Sequence, residues 1–274
     1  MSLEEKIIVT GITDEGLVRD HNEDSIGSDN TLGLLVLADG MGGHKGGEVA
    51  SAIAVDTILK ELRKALPEIA TGNTDDKTGY SLESMAIETA IKQANTNIFE
   101  AANSNIKYEG MGTTVVVVLF YDNRLTVAHV GDSRLYRMRE SKLEQMTRDH
   151  TLLQELVDRG FYTKKEARES LNKNLVTRAV GVNATVDVDL LEEIALPGDL
   201  YLLCSDGLTD MITDDLIEDI QLNYKDDLDK MNTELIKQAK DHGGKDNVSA
   251  MLAQVMKEFP ANSAWFSRIF DLFS

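Results

Sequence analysis

The sequence contains one cysteine in 274 residues, Cys204. An intramolecular disulfide is therefore excluded, and a reducing, cytoplasmic setting is expected. Cys204 stands in an apolar run, which suits a buried thiol better than a reactive one. No run of 18 or more apolar residues occurs, so no membrane insertion is expected. Met1-Ser2-Leu3-Glu4-Glu5-Lys6 lacks the pattern of a signal peptide. Positive charge is scarce: 28 Lys and Arg stand against 47 Asp and Glu, a formal net charge of -19. Such a balance argues against nucleic acid or an anionic membrane as the main partner and favours cation binding. Only five histidines are present, none at zinc-ligand spacing. Internal repeats and low-complexity segments are absent. The 42% of hydrophobic residues is enough for a sizeable core in one large domain.

What the chain does have is organised around Asp39-Gly40-Met41-Gly42-Gly43-His44. The apolar run Leu32 to Ala38 reads as a buried strand that delivers Asp39 to its end. Three glycines in the next four positions permit a tight turn and close approach to a ligand. A helix is predicted from near Glu48 to near Pro67, with Val55, Leu59, Leu62 and Leu66 on one face. Ile87, Ile91, Ala94 and Ile98 mark a second. Val115 to Phe120 reads as a buried strand, turned at Asp122-Asn123-Arg124 into a hairpin partner, Leu125 to Val130. Sequential strands with short turns predict antiparallel sheet. Lys6 to Thr10, Leu135 to Met138, Leu200 to Cys204 and Val248 to Val255 read as further strands. Residues 214 to 241 read as two acidic helices. Thr147-Arg148-Asp149-His150 is expected to open a polar helical segment, and His129 and His150 read as core or turn histidines.

Four glycine-containing turns carry a carboxylate beside an apolar strand: Asp39, Asp132, Asp206 and Asp246. Carboxylates gathered at one edge of a core repel one another unless cations neutralise them. Oxygen ligands without a Cys/His cluster point to a hard divalent ion, Mg²⁺ or Mn²⁺. A further polar cluster, Arg19-Asp20-His21-Asn22-Glu23-Asp24, precedes the second strand.

Arg19-x-x-Asn22-Glu23-Asp24, Asp39 to His44, Gly112-Thr113-Thr114, His129 to Arg134, Ser205-Asp206-Gly207 and Asp246-Asn247 follow one another in this order. Together they resemble the motifs of the PPM (PP2C-type) metal-dependent protein serine/threonine phosphatases, over residues 7 to 256. Met41-Gly42-Gly43-His44 and Asn174 to Gly181 are similar to the bacterial branch. The resemblance implies an α+β fold, an α-β-β-α sandwich of two antiparallel sheets flanked by helices. It also implies phosphoserine and phosphothreonine hydrolysis by a metal-activated water, counteracting a bacterial serine/threonine kinase. The implied centre holds two Mn²⁺ or Mg²⁺ ions: Asp39 bridges them, the Gly40 carbonyl ligates one, and Asp206 and Asp246 complete its shell. Glu23 serves the second ion with Asp24 in support, and Asp132 with Asp206 matches a third site. Arg19 is the implied phosphate clamp, its planar fork suited to two phosphate oxygens. The position where animal members carry a histidine is Met41 here, which leaves His44 or a water at the metals as proton donor.

On this reading residues 1–256 form the phosphatase domain, with a flap at about 151–186, and 257–274 are an amphipathic C-terminal tail. Arg159 to Arg178 carries six basic and two acidic residues, a net of +4 that is either a solvated face or a selector of phosphoprotein substrates. In the tail, Trp265, Phe266, Ile269, Phe270, Leu272 and Phe273 form an apolar face. That face either packs on its own domain or docks a partner. A monomer is expected. Two other functions are weighed: a degenerate family member that binds phosphoproteins, and a metal-dependent phosphodiesterase. The first requires loss of a metal ligand; the second is disfavoured by the acidic charge.

Overall fold

The computed structural model describes residues 3–43, 45–163, 166 and 175–260. His44, Lys164, Lys165, Arg168 and the tail from 261 onward lie outside the described residues. Two antiparallel sheets lie face to face with helices on their outer sides. One sheet orders its strands β1 (Ile7–Asp14), β11 (Val248–Val255), β10 (Leu200–Cys204), β7 (Arg134–Arg139) and β8 (Lys142–Gln145). The other runs β2 (Asp24–Asp29), β3 (Leu34–Met41), β5 (Val115–Tyr121), β6 (Arg124–Val130) and β9 (Asp189–Ile194), with β4 (Gly112–Thr113) paired to the end of β3.

The unbroken apolar character of β3 and β5 follows from burial on both faces, since successive side chains alternate across a sheet. Leu34, Val36, Ala38, Val115 and Val117 pack outward on α1 (Gly46–Ala65) and α2 (Leu82–Ser104). Their neighbours Leu35, Leu37, Val116 and Val118 point inward, against Tyr201, Leu203 and Met251 of the facing sheet. The outer face of that second sheet is covered by α4 (Asp214–Asn223) and α5 (Leu228–Asp241), which bury Ile217, Leu235 and Ala239 on Leu202 and Leu252. The expected sandwich is thus the observed one. Asp122 and Asn123, with φ of 45° and 55°, supply the paired left-handed residues that a two-residue hairpin turn needs between β5 and β6.

Three local expectations are corrected. Asp39 lies inside β3, which continues to Met41 because β4 and β2 pair with its end. The first strand reaches Asp14 because it pairs along its whole length with β11. Thr147 to His150 is not helical. Its backbone runs along residues 131–135, with Met146 N–H donating to Leu135 O and His150 N–H to Gly131 O, so tertiary pairing overrides the local pattern. Helix begins only after Thr151, whose hydroxyl accepts from Gln154 N–H and caps α3 (Leu152–Asp158). Toward the end of the described residues Phe259 is buried between the sheets against Phe120, so this one residue past 256 belongs to the core.

Candidate functional site

The four acidic turns meet at one end of the sandwich. Register brings the first two carboxylates together, because β2 and β3 pair with Asp24 directly opposite Asp39. The Asp39 backbone is then locked by the threonine pair: its carbonyl accepts from Thr114 N–H and Thr113 Oγ1, both at 2.8 Å. Its N–H donates to Thr114 Oγ1 at 3.2 Å. Gly40 has no room for a side chain: a Cβ there would stand 2.1 Å from the Gly47 carbonyl and 2.5 Å from that of Glu23. This close approach, which only glycine permits, lets Gly40 N–H donate to Glu23 O at 3.1 Å and packs the central turn onto the Arg19–Asp24 loop.

The second sheet contributes Asp206, just beyond β10, and Asp246, just before β11. Ser205 and Ser249 tie the two sheets together by donating to Asp24 Oδ2 at 2.8 and 2.7 Å. Asn247 accepts from Glu23 N–H at 2.8 Å and fixes that loop from the other side. Arg19 donates to Asp246 Oδ2 at 2.6 Å, with half of its side chain exposed. Asp132 follows the Gly131 turn at the end of β6 and is buried. His21, not singled out from the sequence, lies with Nε2 3.4 Å from Glu23 Oε1.

The electrostatics are those of an under-neutralised cluster. Burial, then repulsion from Asp24 and Asp206, raises the Asp39 carboxyl well above the usual range. Burial, then Asp132, does the same to Asp206. Burial also pushes Asp24 and Asp132 up to about 6. Glu23 Oε1 and Asp24 Oδ1 are buried without a hydrogen-bond partner. Buried carboxylate oxygens lacking donors, all of one sign and all hard oxygen ligands, fit a divalent cation of the Mg²⁺ or Mn²⁺ type. The structure therefore gathers Arg19, Glu23, Asp24, Asp39, Gly40, Asp132, Asp206 and Asp246; of the expected site residues only His44 lies outside the described residues. Two clefts open from this cluster. One of about 220 Å³ is lined by Arg19, His21 and Glu23. The other, about 640 Å³, is lined by Asp132, Asp206, Asp149, Arg134 and Asp210.

Among the described residues one group brings three metal-capable atoms within 4.8 Å of one another, and it lies outside this cluster: His129, His150 and Asp189. The two imidazoles are buried and stacked, with ring centroids 4.7 Å apart. Each histidine read from the sequence as a core or turn residue; their pairing across 21 positions carried no sequence signal.

A family model for "Protein phosphatase 2C" matches residues 17–256. The chain is 36% identical to the serine/threonine phosphatase stp of Listeria welshimeri over 245 residues, 88% of this chain and 93% of that protein. It is also similar to the crystal structure of the Mycobacterium tuberculosis serine/threonine phosphatase PstP/Ppp, with a TM-score of 0.81 and 35% identity, covering 92% of this chain and 100% of the other. A structure of the PstP catalytic domain in complex with two manganese ions matches with a TM-score of 0.78 and 35% identity, covering 92% and 99%. A match that takes in every acidic turn, on a fold shared with those solved structures, leaves one conclusion: the chain belongs to the protein phosphatase 2C family.

Proposed function

We infer that this chain is a metal-dependent protein serine/threonine phosphatase, acting on phosphoprotein substrates. The observation that carries this reading is the cluster of Glu23, Asp24, Asp39, Asp132, Asp206 and Asp246, in which Glu23 Oε1 and Asp24 Oδ1 are buried without a hydrogen-bond partner, with the Arg19 guanidinium at its edge on Asp246. A binding module without catalysis would need a lost ligand, and none of these carboxylates is missing. Neither that reading nor the phosphodiesterase reading finds support among the relatives.

The residues that would hold divalent ions are Asp39, the Gly40 carbonyl, Asp206 and Asp246, with Glu23 and Asp24 beside them; Asp132 with Asp206 would offer a further position. Bound ions of this kind supply Lewis acidity and lower the pKa of water to near neutrality. The protein's own part is positional. Thr113 and Thr114 hold the Asp39 peptide, and Ser205 and Ser249 hold Asp24. Arg19, on the wall of the smaller cleft, would orient the phosphate with charge-assisted hydrogen bonds, and its contact to Asp246 keeps it beside the acidic cluster. His44, the titratable residue of the central motif, is the proposed proton donor for the leaving seryl or threonyl oxygen.

Mn²⁺ or Mg²⁺ in two copies, a monomeric state, a cytoplasmic location and a serine/threonine kinase that writes the substrate phosphates complete the proposal. So do a flap at about 151–186 and an amphipathic C-terminal tail, 257–274, that either packs on its own domain or docks a partner. A single buried Cys204, its thiol pushed up to about 12 by burial, suits a reducing compartment. No helix among the described residues is long and apolar enough to cross a membrane. The deciding assay follows phosphate release from a phosphothreonine peptide with Mn²⁺ and with EDTA, beside an aryl phosphodiester. Metal-dependent release without diester cleavage is expected; diester cleavage, or release that survives EDTA, overturns the assignment.

A further inference from the structure

The His129–His150–Asp189 group is a metal site by proximity but not by proton placement. His150 Nδ1 accepts a hydrogen bond from Gly131 N–H at 3.0 Å. Burial, with the neighbouring His129 ring, holds the His150 pKa low, at about 4, so the ring is neutral and its single proton is on Nε2. A cation at Nε2 would force that proton onto Nδ1, against the Gly131 N–H. Nε2 instead faces Asp189 Oδ2 at 3.2 Å, off the axis of a full hydrogen bond. Asp189 itself is taken by the Arg178 guanidinium.

The same contacts describe a clamp. His150 grips Gly131 from both sides, its backbone N–H donating to Gly131 O at 2.9 Å and its Nδ1 accepting the Gly131 N–H. On the opposite side Gly131, at φ +107°, lies so close to Thr114 that a Cβ would stand 2.6 Å from it. His129 stacks on the His150 ring and is itself fixed through Nε2 to Arg148 O at 2.9 Å. Thr177 N–H donates to His150 O at 2.8 Å, so the segment leading to Arg178 is strapped to the same residue. The residue that this clamp delivers is Asp132, next in the chain after Gly131.

We propose that His150 is a positioning residue whose Nδ1 holds the Val130–Gly131 peptide, next to the Gly131 carbonyl held by its own backbone N–H, and thereby aims the Asp132 carboxylate at a divalent cation shared with Asp206. The role rests on the assignment of Asp132 as a ligand, and the two fail separately. The experiment is calorimetric titration of the full chain with Mn²⁺, with thermal melts to certify each variant. Asp132→Ala is expected to remove one class of bound ion. His150→Ala is expected to weaken that same ion about tenfold, the size of one lost hydrogen bond, and to leave the other ions within about twofold. Asn places its amide oxygen near the position of Nδ1, whereas Gln reaches toward Asp189 and offers Gly131 no acceptor. His150→Asn should therefore restore binding and His150→Gln should not; this pair also decides the matter if the alanine variant fails to fold. Equal behaviour of Asn and Gln, or an unchanged ion in His150→Ala while Asp132→Ala loses it, overturns the positioning role. Unchanged Mn²⁺ binding in Asp132→Ala overturns the ligand assignment and the role with it.

Discussion

The two ends of β10 hold acids under opposite conditions. At its start Asp199 is 1% exposed and fully engaged: Arg139 donates to both of its oxygens at 2.7 and 2.6 Å, Leu196 N–H at 2.8 Å and Tyr201 OH at 3.1 Å. Just past its end Asp206 joins Asp24, Asp39 and Asp132, and among the described residues no Lys or Arg lies within 4.0 Å of any of these four. A buried charge that is paired and hydrogen-bonded supports the fold; one that is not must be protonated or find a cation. The same strand therefore carries a structural acid at one end and a candidate binding site at the other. The pairing, not the residue type, separates them.

The comparison can be broken most sharply at Asp39. Asp39→Asn should abolish nearly all turnover, because the carboxylate proposed to be shared by two ions is gone. The metal-free fold should be as stable as the wild type or more so, since one of several repelling charges is removed. Loss of stability in EDTA without loss of rate would reverse the assignment. Arg139→Ala is the opposite case. It leaves Asp199 buried and short of its partner, at a cost of about 3–5 kcal/mol, read by urea unfolding, while kcat of the folded enzyme stays at the wild-type value. A rate defect larger than the folding defect would show that the two ends are not independent.

Cation removal tests the whole cluster at once. Mn²⁺ at about 100 times its dissociation constant should stabilise the fold by roughly 2.7 kcal/mol through linkage, seen as a rise in the melting midpoint over EDTA. An unchanged midpoint would mean that the carboxylates are neutralised some other way. Arg19→Ala removes one charge-assisted contact worth roughly 1.5–3 kcal/mol, a loss on the order of 10- to 100-fold in kcat/KM for a phosphopeptide. Wild-type kinetics would reduce Arg19 to a surface partner of Asp246. The smallest effect is expected from changing Lys164, Lys165 and Arg168 together to Ala, residues outside the described part of the chain. If that basic segment attracts phosphoproteins toward the acidic cluster, kcat/KM falls for a phosphoprotein, more so at low salt, and hardly at all for a small aryl phosphate. Equal losses on both substrates would place the segment in the chemistry instead.

Much of this was legible because it is local. The spacing of Val55, Leu59 and Leu62 announces α1, and unbroken runs such as Val115 to Phe120 announce strands buried on both faces. Asp122-Asn123 announces the hairpin turn, and the glycine turns at Asp39, Asp132, Asp206 and Asp246 announce the acids that gather at one end of the sandwich. Each of these signals is complete within a few residues, since side-chain period and turn conformation are properties of a short stretch of backbone.

Tertiary structure alone decided which of those groups meet. Asp24 faces Asp39 through strand register, and a slip of one residue would turn every side chain of β2 to the other face. Ser205 and Ser249 reach Asp24 across the gap between the two sheets, and Arg19 reaches Asp246 over 227 positions of chain. His150 grips Gly131 because residues 147–150, expected to open a helix, instead run beside 131–135. These contacts depend on sheet order and on closing long loops, which no short window of sequence encodes. The sequence by itself determined the kinds of ligand and the elements that carry them. The packing of two sheets determined their distances, their pairing and their charge state.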